Sequence, residues 1–160
     1  MTLKFAVTDF EPGMKVGVSS WIEISQEMIS GFGELTRDPD PMHVDSEWAR
    51  KNGPYGGTIA FGFLTLSLLT HMLHDALGTS PRAHSRGPGH YLNYGFDRIR
   101  LVAPVVTGSR IRGSFDVTES RVDDRHRLFT TFRSIVEIEG EDRPALVADW
   151  LTLWIPAEGG

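Results

Sequence analysis

Ile59-Ala-Phe-Gly-Phe-Leu-Thr-Leu-Ser-Leu-Leu-Thr-His-Met-Leu73 is the longest apolar run in this chain of 160 residues. Apolar side chains fall on nearly every face of the helical wheel, which predicts a buried helix over residues 58–77 rather than a half-exposed one. At about 1.5 Å per residue such a helix spans about 30 Å, the width of a small domain, and Gly78 is its natural terminator. Just upstream lie a glycine-rich turn, Gly53-Pro-Tyr-Gly-Gly57, and a polar segment, Asp38-Pro-Asp-Pro-Met-His43. An acid and an imidazole thus sit five residues apart on a proline-stiffened loop ahead of a helix start. Such a loop can hold two proton-transfer groups, and such a helix start can hold a developing oxyanion.

The flanking segments supply a scaffold for that stretch. Residues 21–24 read as a short strand. Ser25 then makes a good N-cap, with Glu27 in the first turn and Met28, Ile29, Phe32 and Leu35 at helical spacing. Asp38-Pro39 and Asp40-Pro41 oppose continuation, so this helix ends near residues 35–37. Residues 46–52 read as a two-turn helix stopped by Gly53-Pro54. Residues 78–90 form the clearest loop in the chain. Beyond it the period changes from helix to strand. Ile111, Gly113, Phe115 and Val117 alternate with polar residues, as do Leu128, Thr130, Phe132, Ser134, Val136 and Ile138. Residues 91–102 and 145–155 are also strand-like. These elements predict one α+β domain over residues 1–160, an antiparallel sheet wrapped around the apolar helix.

Composition narrows the function classes. Hydrophobic residues make up 40% and charged residues 23%, the balance of an ordinary globular protein. The net charge of −5 argues against nucleic acid as a partner, which selects a basic face. The chain has no cysteine, so disulfides, thiolate catalysis and Cys-ligated zinc are excluded. The first residues lack the basic start and apolar core of a signal peptide. The apolar run is shorter than the roughly 18 residues of a membrane span and is interrupted by Thr65, Ser67, Thr70 and His71. A cytoplasmic protein with no membrane partner is the expectation.

Three ordered segments carry a resemblance that covers nearly the whole chain. Phe32-Gly-Glu-Leu-Thr-Arg-Asp38-Pro-Asp-Pro-Met-His43-Val-Asp resembles the hydratase signature of the MaoC-like proteins, which include the (R)-specific enoyl-CoA hydratases. That signature runs aromatic, small or hydroxyl residue, then Gly-Asp-x-Asn-Pro-apolar-His. Gly56-Gly-Thr-Ile-Ala-Phe-Gly62-Phe-Leu resembles the family's entry into its central helix, and Asn93-Tyr-Gly-Phe-Asp-Arg-Ile-Arg-Leu-Val-Ala-Pro-Val its following strand. The likeness is greatest to the short single-domain, nodulation protein N-like branch.

The resemblance implies a hotdog fold, a homodimer with its site at the interface, and reversible hydration of trans-2-enoyl thioesters to 3-hydroxyacyl thioesters. It implies that Asp38 and His43 are the catalytic pair, that the Gly62 N–H binds the thioester oxygen, and that Thr70 supports the pair with its hydroxyl. No cofactor is implied, since coenzyme A enters as part of the substrate. Three positions depart from the pattern: Arg37 replaces a Gly, Asp40 replaces an Asn, and Phe61 stands where His commonly precedes the helix glycine.

Plainer readings stand beside these. Asp-x-Asp-Pro before a helix is commonly a capped turn. His71 and His74, with Asp75 adjacent, have a spacing that can hold metal, but solvent-facing helix histidines are the simpler reading, and no metal is expected. Arg82, Arg86 and His90 are candidates to meet coenzyme A phosphates, or belong to a solvated loop. Asn93 and Tyr94 are candidates for the acyl tunnel, or lie on a plain strand face. Trp21, Trp48, Trp150 and Trp154 are expected in core or dimer packing. Two other functions stay open: an acyl-CoA thioesterase, and a non-catalytic acyl-thioester-binding or partner subunit.

Overall fold

Strict alternation of buried and half-buried side chains along residues 128–138 makes that segment the spine of the sheet. The computed structural model describes residues 10–79 and 89–157. In chain order these give strands β1 (Lys15–Val18) and β2 (Ile22–Glu23), then helices α1 (Gln26–Thr36), α2 (Pro41–Val44) and α3 (Ser46–Asn52). Helices α4 (Gly62–Ser67) and α5 (Leu69–Ala76) follow, and then strands β3 (Gly89–Leu101), β4 (Arg110–Val122), β5 (Leu128–Ile138) and β6 (Leu146–Pro156). The sheet runs β1-β4-β5-β6-β3, with β2 also on β4, and every pairing is antiparallel.

Register puts one apolar face against the helices. Leu128, Thr130, Phe132, Ser134, Val136 and Ile138 of β5 are buried, and Thr152, Trp150, Ala148 and Leu146 of β6 stand opposite Thr130 to Val136. Ile29 of α1 and Leu69, Met72 and Leu73 of α5 complete this core. Met72 and Phe115 crowd β4 so closely that a Cβ on Gly113 would lie 2.9 Å from Phe115 Cζ and 3.0 Å from Met72 Sδ, so any side chain there would force these neighbours to shift. Each fully buried Phe, Leu or Met stabilises the fold by about 1.5–3 kcal/mol. On the other face Arg98 and Arg133 flank Asp149, Arg112 meets Glu137, and Arg110 meets Glu139. Such exposed pairs contribute about 0–1 kcal/mol each, so burial of the inner face dominates.

The central helix departs from expectation in its start, its continuity and its burial. Residues 58–60 are extended rather than helical: Ile59 bridges Val106, the Ala60 N–H donates to the Val105 carbonyl at 2.8 Å, and the Thr107 N–H to the Thr58 carbonyl at 2.9 Å. Helix therefore begins at Gly62. A break at Leu68 divides it into α4 and α5, yet Leu68 N–H→Leu64 O and Met72 N–H→Leu68 O carry the ladder through. The helix is also not buried all round, since Phe63, Ser67, His71 and Asp75 form an exposed stripe and Phe63 is 71% exposed. Among the described residues no helix is long and apolar enough to cross a membrane.

Candidate active site

Asp38 owes its place to the way α1 stops. Ser25 caps the helix start, its hydroxyl accepting from the Met28 N–H at 3.2 Å. At the far end Arg37 turns left-handed with φ +58°. The Arg37 N–H then reaches the Glu34 carbonyl at 3.2 Å and the Asp38 N–H the Gly33 carbonyl at 2.9 Å, the paired closure of a Schellman motif. The glycine of the signature belongs at this left-handed position, and Arg37 fills it at a cost of about 1–2 kcal/mol. Asp38 leaves the turn exposed to solvent. Asp40 caps α2 by accepting from the Met42 N–H at 2.8 Å, a task that Asn performs as well. The substitution from the signature therefore keeps the local fold.

His43 lies in α2 and is half-buried. Its Nδ1 stands 2.7 Å from the Ile59 carbonyl oxygen. A carbonyl can only accept, so Nδ1 carries the proton and Nε2 of the neutral ring carries a lone pair. The Ile59 N–H in turn donates to the Met42 carbonyl at 3.3 Å, so the extended segment grips α2 through both its groups. Phe61 is buried and lies against the imidazole, with ring centroids 3.9 Å apart, and against Phe32 at 5.3 Å. It packs beneath His43 in the core. A Cβ on Gly33 would sit 3.0 Å from the Asp38 carbonyl oxygen and 3.1 Å from Phe61 Cζ. The Asp38 backbone, Phe61 and Val44, the residue after His43, thus close around one bare stretch of α1.

Gly62 is the first residue of α4, and no side chain caps that helix start. Leu101, at the end of β3, packs over it, and a Cβ on Gly62 would collide with Leu101 Cδ1. Leu101 is itself 57% exposed. Thr70 is half-buried on α5, beyond the break at Leu68.

The two strand candidates separate. A bulge between Asn93 and Gly95 leaves Tyr94 without a partner in β6. Asn93 stands opposite the buried Thr152, on the helix side. Tyr94 lies on the outer face, its ring edge-on to Phe129 at 5.4 Å, in a shallow groove with Glu119, Arg121 and Leu151. That groove is on the opposite face of the sheet from α4 and α5, so tunnel lining is geometrically open to Asn93 and not to Tyr94. His90 is exposed at the start of β3. Arg82 and Arg86 lie outside the described residues.

Other sequence candidates have plain structural duties. His74 Nδ1 meets Thr79 Oγ1 at 2.9 Å, and Asp75 accepts from the Ser20 N–H at 2.5 Å. Among the described residues no cluster of His, Asp and Glu is arranged to hold a metal ion. Trp150 is buried against Phe96 and Phe132, whereas Trp21 is covered by Arg112 at 4.5 Å and Trp48 is 39% exposed.

Sequence reasoning passed over Gln26, Thr58 and Thr107. Gln26 donates through Nε2 to the His43 carbonyl at 2.9 Å and accepts at Oε1 from the Thr58 hydroxyl at 2.5 Å. The Thr58 and Thr107 hydroxyl oxygens are 2.5 Å apart. Gln26 and Thr107 belong to no recognisable motif, whereas Thr58 lies in the segment that resembles the family's helix entry. The one usable signal was a threonine directly before the helix entry.

Comparison with known proteins places the fold and the family. A MaoC like domain is recognised over residues 8–137. Nodulation protein N of Rhizobium leguminosarum bv. viciae is 45% identical over 141 residues, covering 88% of this chain and 84% of that protein. The 3-hydroxyacyl-thioester dehydratase Z of Mycobacterium tuberculosis is 36% identical over 143 residues, covering 89% and 90%. The crystal structure of a monoamine oxidase regulatory protein from Archaeoglobus fulgius superposes with a TM-score of 0.76 at 24% identity, covering 94% of this chain and 93% of that one. The chain belongs to the MaoC-like hydratase/dehydratase family and has its hotdog fold.

Proposed function

We propose that this protein is a lyase that interconverts trans-2-enoyl thioesters and (R)-3-hydroxyacyl thioesters, with coenzyme A or acyl-carrier protein as the carrier. The observation that carries the reading is the His43 Nδ1 contact with the Ile59 carbonyl, which leaves Nε2 able to accept a proton. In the hydration direction a water oxygen bonds to C3 while its proton passes to His43 Nε2. The C2–C3 π electrons move toward the thioester, and the negative charge on its oxygen is held by the Gly62 N–H. C2 then takes a proton from the Asp38–His43 pair, so atoms and charge balance. Positioned acid–base groups contribute about 10²–10⁴-fold to such a step, and an oxyanion donor about 10²–10³-fold. Asn93 on the helix side of β3 and Thr70 on α5 are the proposed acyl contacts.

The protein is proposed to work in the cytoplasm as a homodimer. One edge of β3 pairs with β6, and among the described strands the other edge pairs with none. Leu92, Leu101 and Phe63 are exposed beside it, at 46%, 57% and 71%. A long unpaired edge with apolar side chains is a template for a second strand, and a second copy supplies one.

The test is loss of enoyl absorbance with crotonyl-CoA and longer homologues, with free thiol measured in parallel. Hydration without thiol release is expected. Thiol release instead would make the protein a thioesterase. Neither reaction at any chain length would leave a binding or partner subunit as the better account.

A further inference from the structure

We infer that Gln26, acting with Thr58 and Thr107, is a positioning residue that fixes His43 as its Nδ1–H tautomer. Both ends of the His43–Ile59 contact are tied into this one network. On the imidazole side, Gln26 Nε2 donates to the His43 carbonyl at 2.9 Å and to Ser30 Oγ at 3.1 Å. On the carbonyl side, Thr58 immediately precedes Ile59 and its hydroxyl donates to Gln26 Oε1 at 2.5 Å. Thr107 Oγ1 lies 2.5 Å from Thr58 Oγ1, 3.1 Å from the Thr58 carbonyl and 3.4 Å from Gln26 Oε1. The amide cannot be turned over, because its NH₂ must face a backbone carbonyl and its oxygen must face the hydroxyls. Thr58 is only 2% exposed, so water cannot take over these bonds.

The functional consequence follows from imidazole chemistry. A neutral histidine free in water favours the Nε2–H form, in which Nε2 cannot accept a proton. Here the Ile59 carbonyl selects the opposite form, and it does so only while it stays in line with Nδ1. Gln26 holds α2 and residues 58–59 at a fixed spacing, and Thr107 anchors that segment to residues 105–107. The network therefore determines which nitrogen is basic. It touches neither the proposed substrate path nor Nε2. The inference rests on the reading of His43 as the proton acceptor, but its geometric part can be read independently of activity.

The experiment uses the full chain labelled with ¹⁵N-histidine. Long-range ¹H–¹⁵N spectra recorded at a pH where the ring is neutral distinguish protonated from bare ring nitrogens, and His43→Gln identifies the signals. Wild type should show a protonated Nδ1 and a bare Nε2. Gln26→Met keeps the side-chain length but makes no such bonds. It should move His43 toward tautomer averaging and lower kcat by about 10-fold with KM changed less than about twofold. Thr58→Val should behave alike, and Thr58→Ser, which restores the hydroxyl, should recover both readouts. If Gln26→Met does not fold, the Thr58→Val and Thr58→Ser pair decides. A folded Gln26→Met or Thr58→Val with the wild-type spectrum overturns the inference, as does a wild type with Nε2 protonated. The expected tautomer response in a protein without hydratase activity supports the network and sinks the proposed function instead.

Discussion

Arg37 holds a left-handed backbone, φ +58°, at the turn that delivers Asp38. Arg37→Gly removes a strain of about 1–2 kcal/mol and returns part of it as unfolded-chain entropy, for a net gain of about 0.5–1 kcal/mol and a few degrees in Tm. Thermal melts check this, and a lower Tm would show that arginine makes compensating contacts in the turn. Asp38 and His43 are expected to act as a unit. Asp38→Asn or His43→Ala alone should remove most hydration activity, and the double variant should be little worse than the worse single one. Asp38 is exposed, so Asp38→Asn should leave the thermal midpoint nearly unmoved. Wild-type turnover by Asp38→Asn would remove the aspartate from the mechanism. Asp40→Asn should change little, since either side chain caps α2.

At the scale of the element, the turn joining β4 to β5 depends on one carboxylate. Asp123 accepts from the backbone N–H groups of Arg125 and Arg127, each at 3.0 Å, and its Oδ2 meets the Arg127 guanidinium at 2.6 and 2.8 Å. The bond from Arg127 is the largest reason that its pKa is lowered to about 2. A folded pKa below the unfolded value of about 4 means stability that is complete above pH 4 and lost as pH falls toward 2. Wild type should therefore melt above Asp123→Asn near neutral pH, and the gap should close between about pH 4 and pH 2. A gap that persists at pH 2 would place the contribution in the neutral hydrogen bonds. At the start of α1, Ser25→Ala should cost about 1 kcal/mol by orphaning the Met28 N–H, measured by denaturant titration.

For the whole molecule, the balance of the two sheet ends matters most. At one end β1 and β2 are short strands sharing β4, whereas β3 at the other end is long and carries exposed apolar side chains. The outer face carries exposed ion pairs beside the apolar Leu92, Tyr94 and Phe129. Association through the β3 edge should therefore give a dimer with separate, solvated outer faces. Sedimentation at micromolar concentration should find two copies, and a stable monomer would count against that edge as an interface.

The sequence alone determined whatever depends on local period and local capping. Alternation placed β5, residues 46–52 were read as the helix that became α3, and Ser25 was recognised as a cap because its partner is three residues away. The Asp38 and His43 motif was legible because its parts are neighbours in the chain. Tertiary structure decided what depends on a distant partner. Residues 58–60 became extended because residues 105–107 offered them backbone bonds, and this moved the helix start to Gly62. Alternation puts Asn93 and Tyr94 on opposite faces, but a bulge against β6 decided that Tyr94 has no cross-strand partner and that Gly95 pairs with Leu151. The proton on His43 is placed by the Ile59 carbonyl, and a carbonyl is common to every residue. Sequence encodes side chains, so a role carried by backbone direction appears only when the chain has folded.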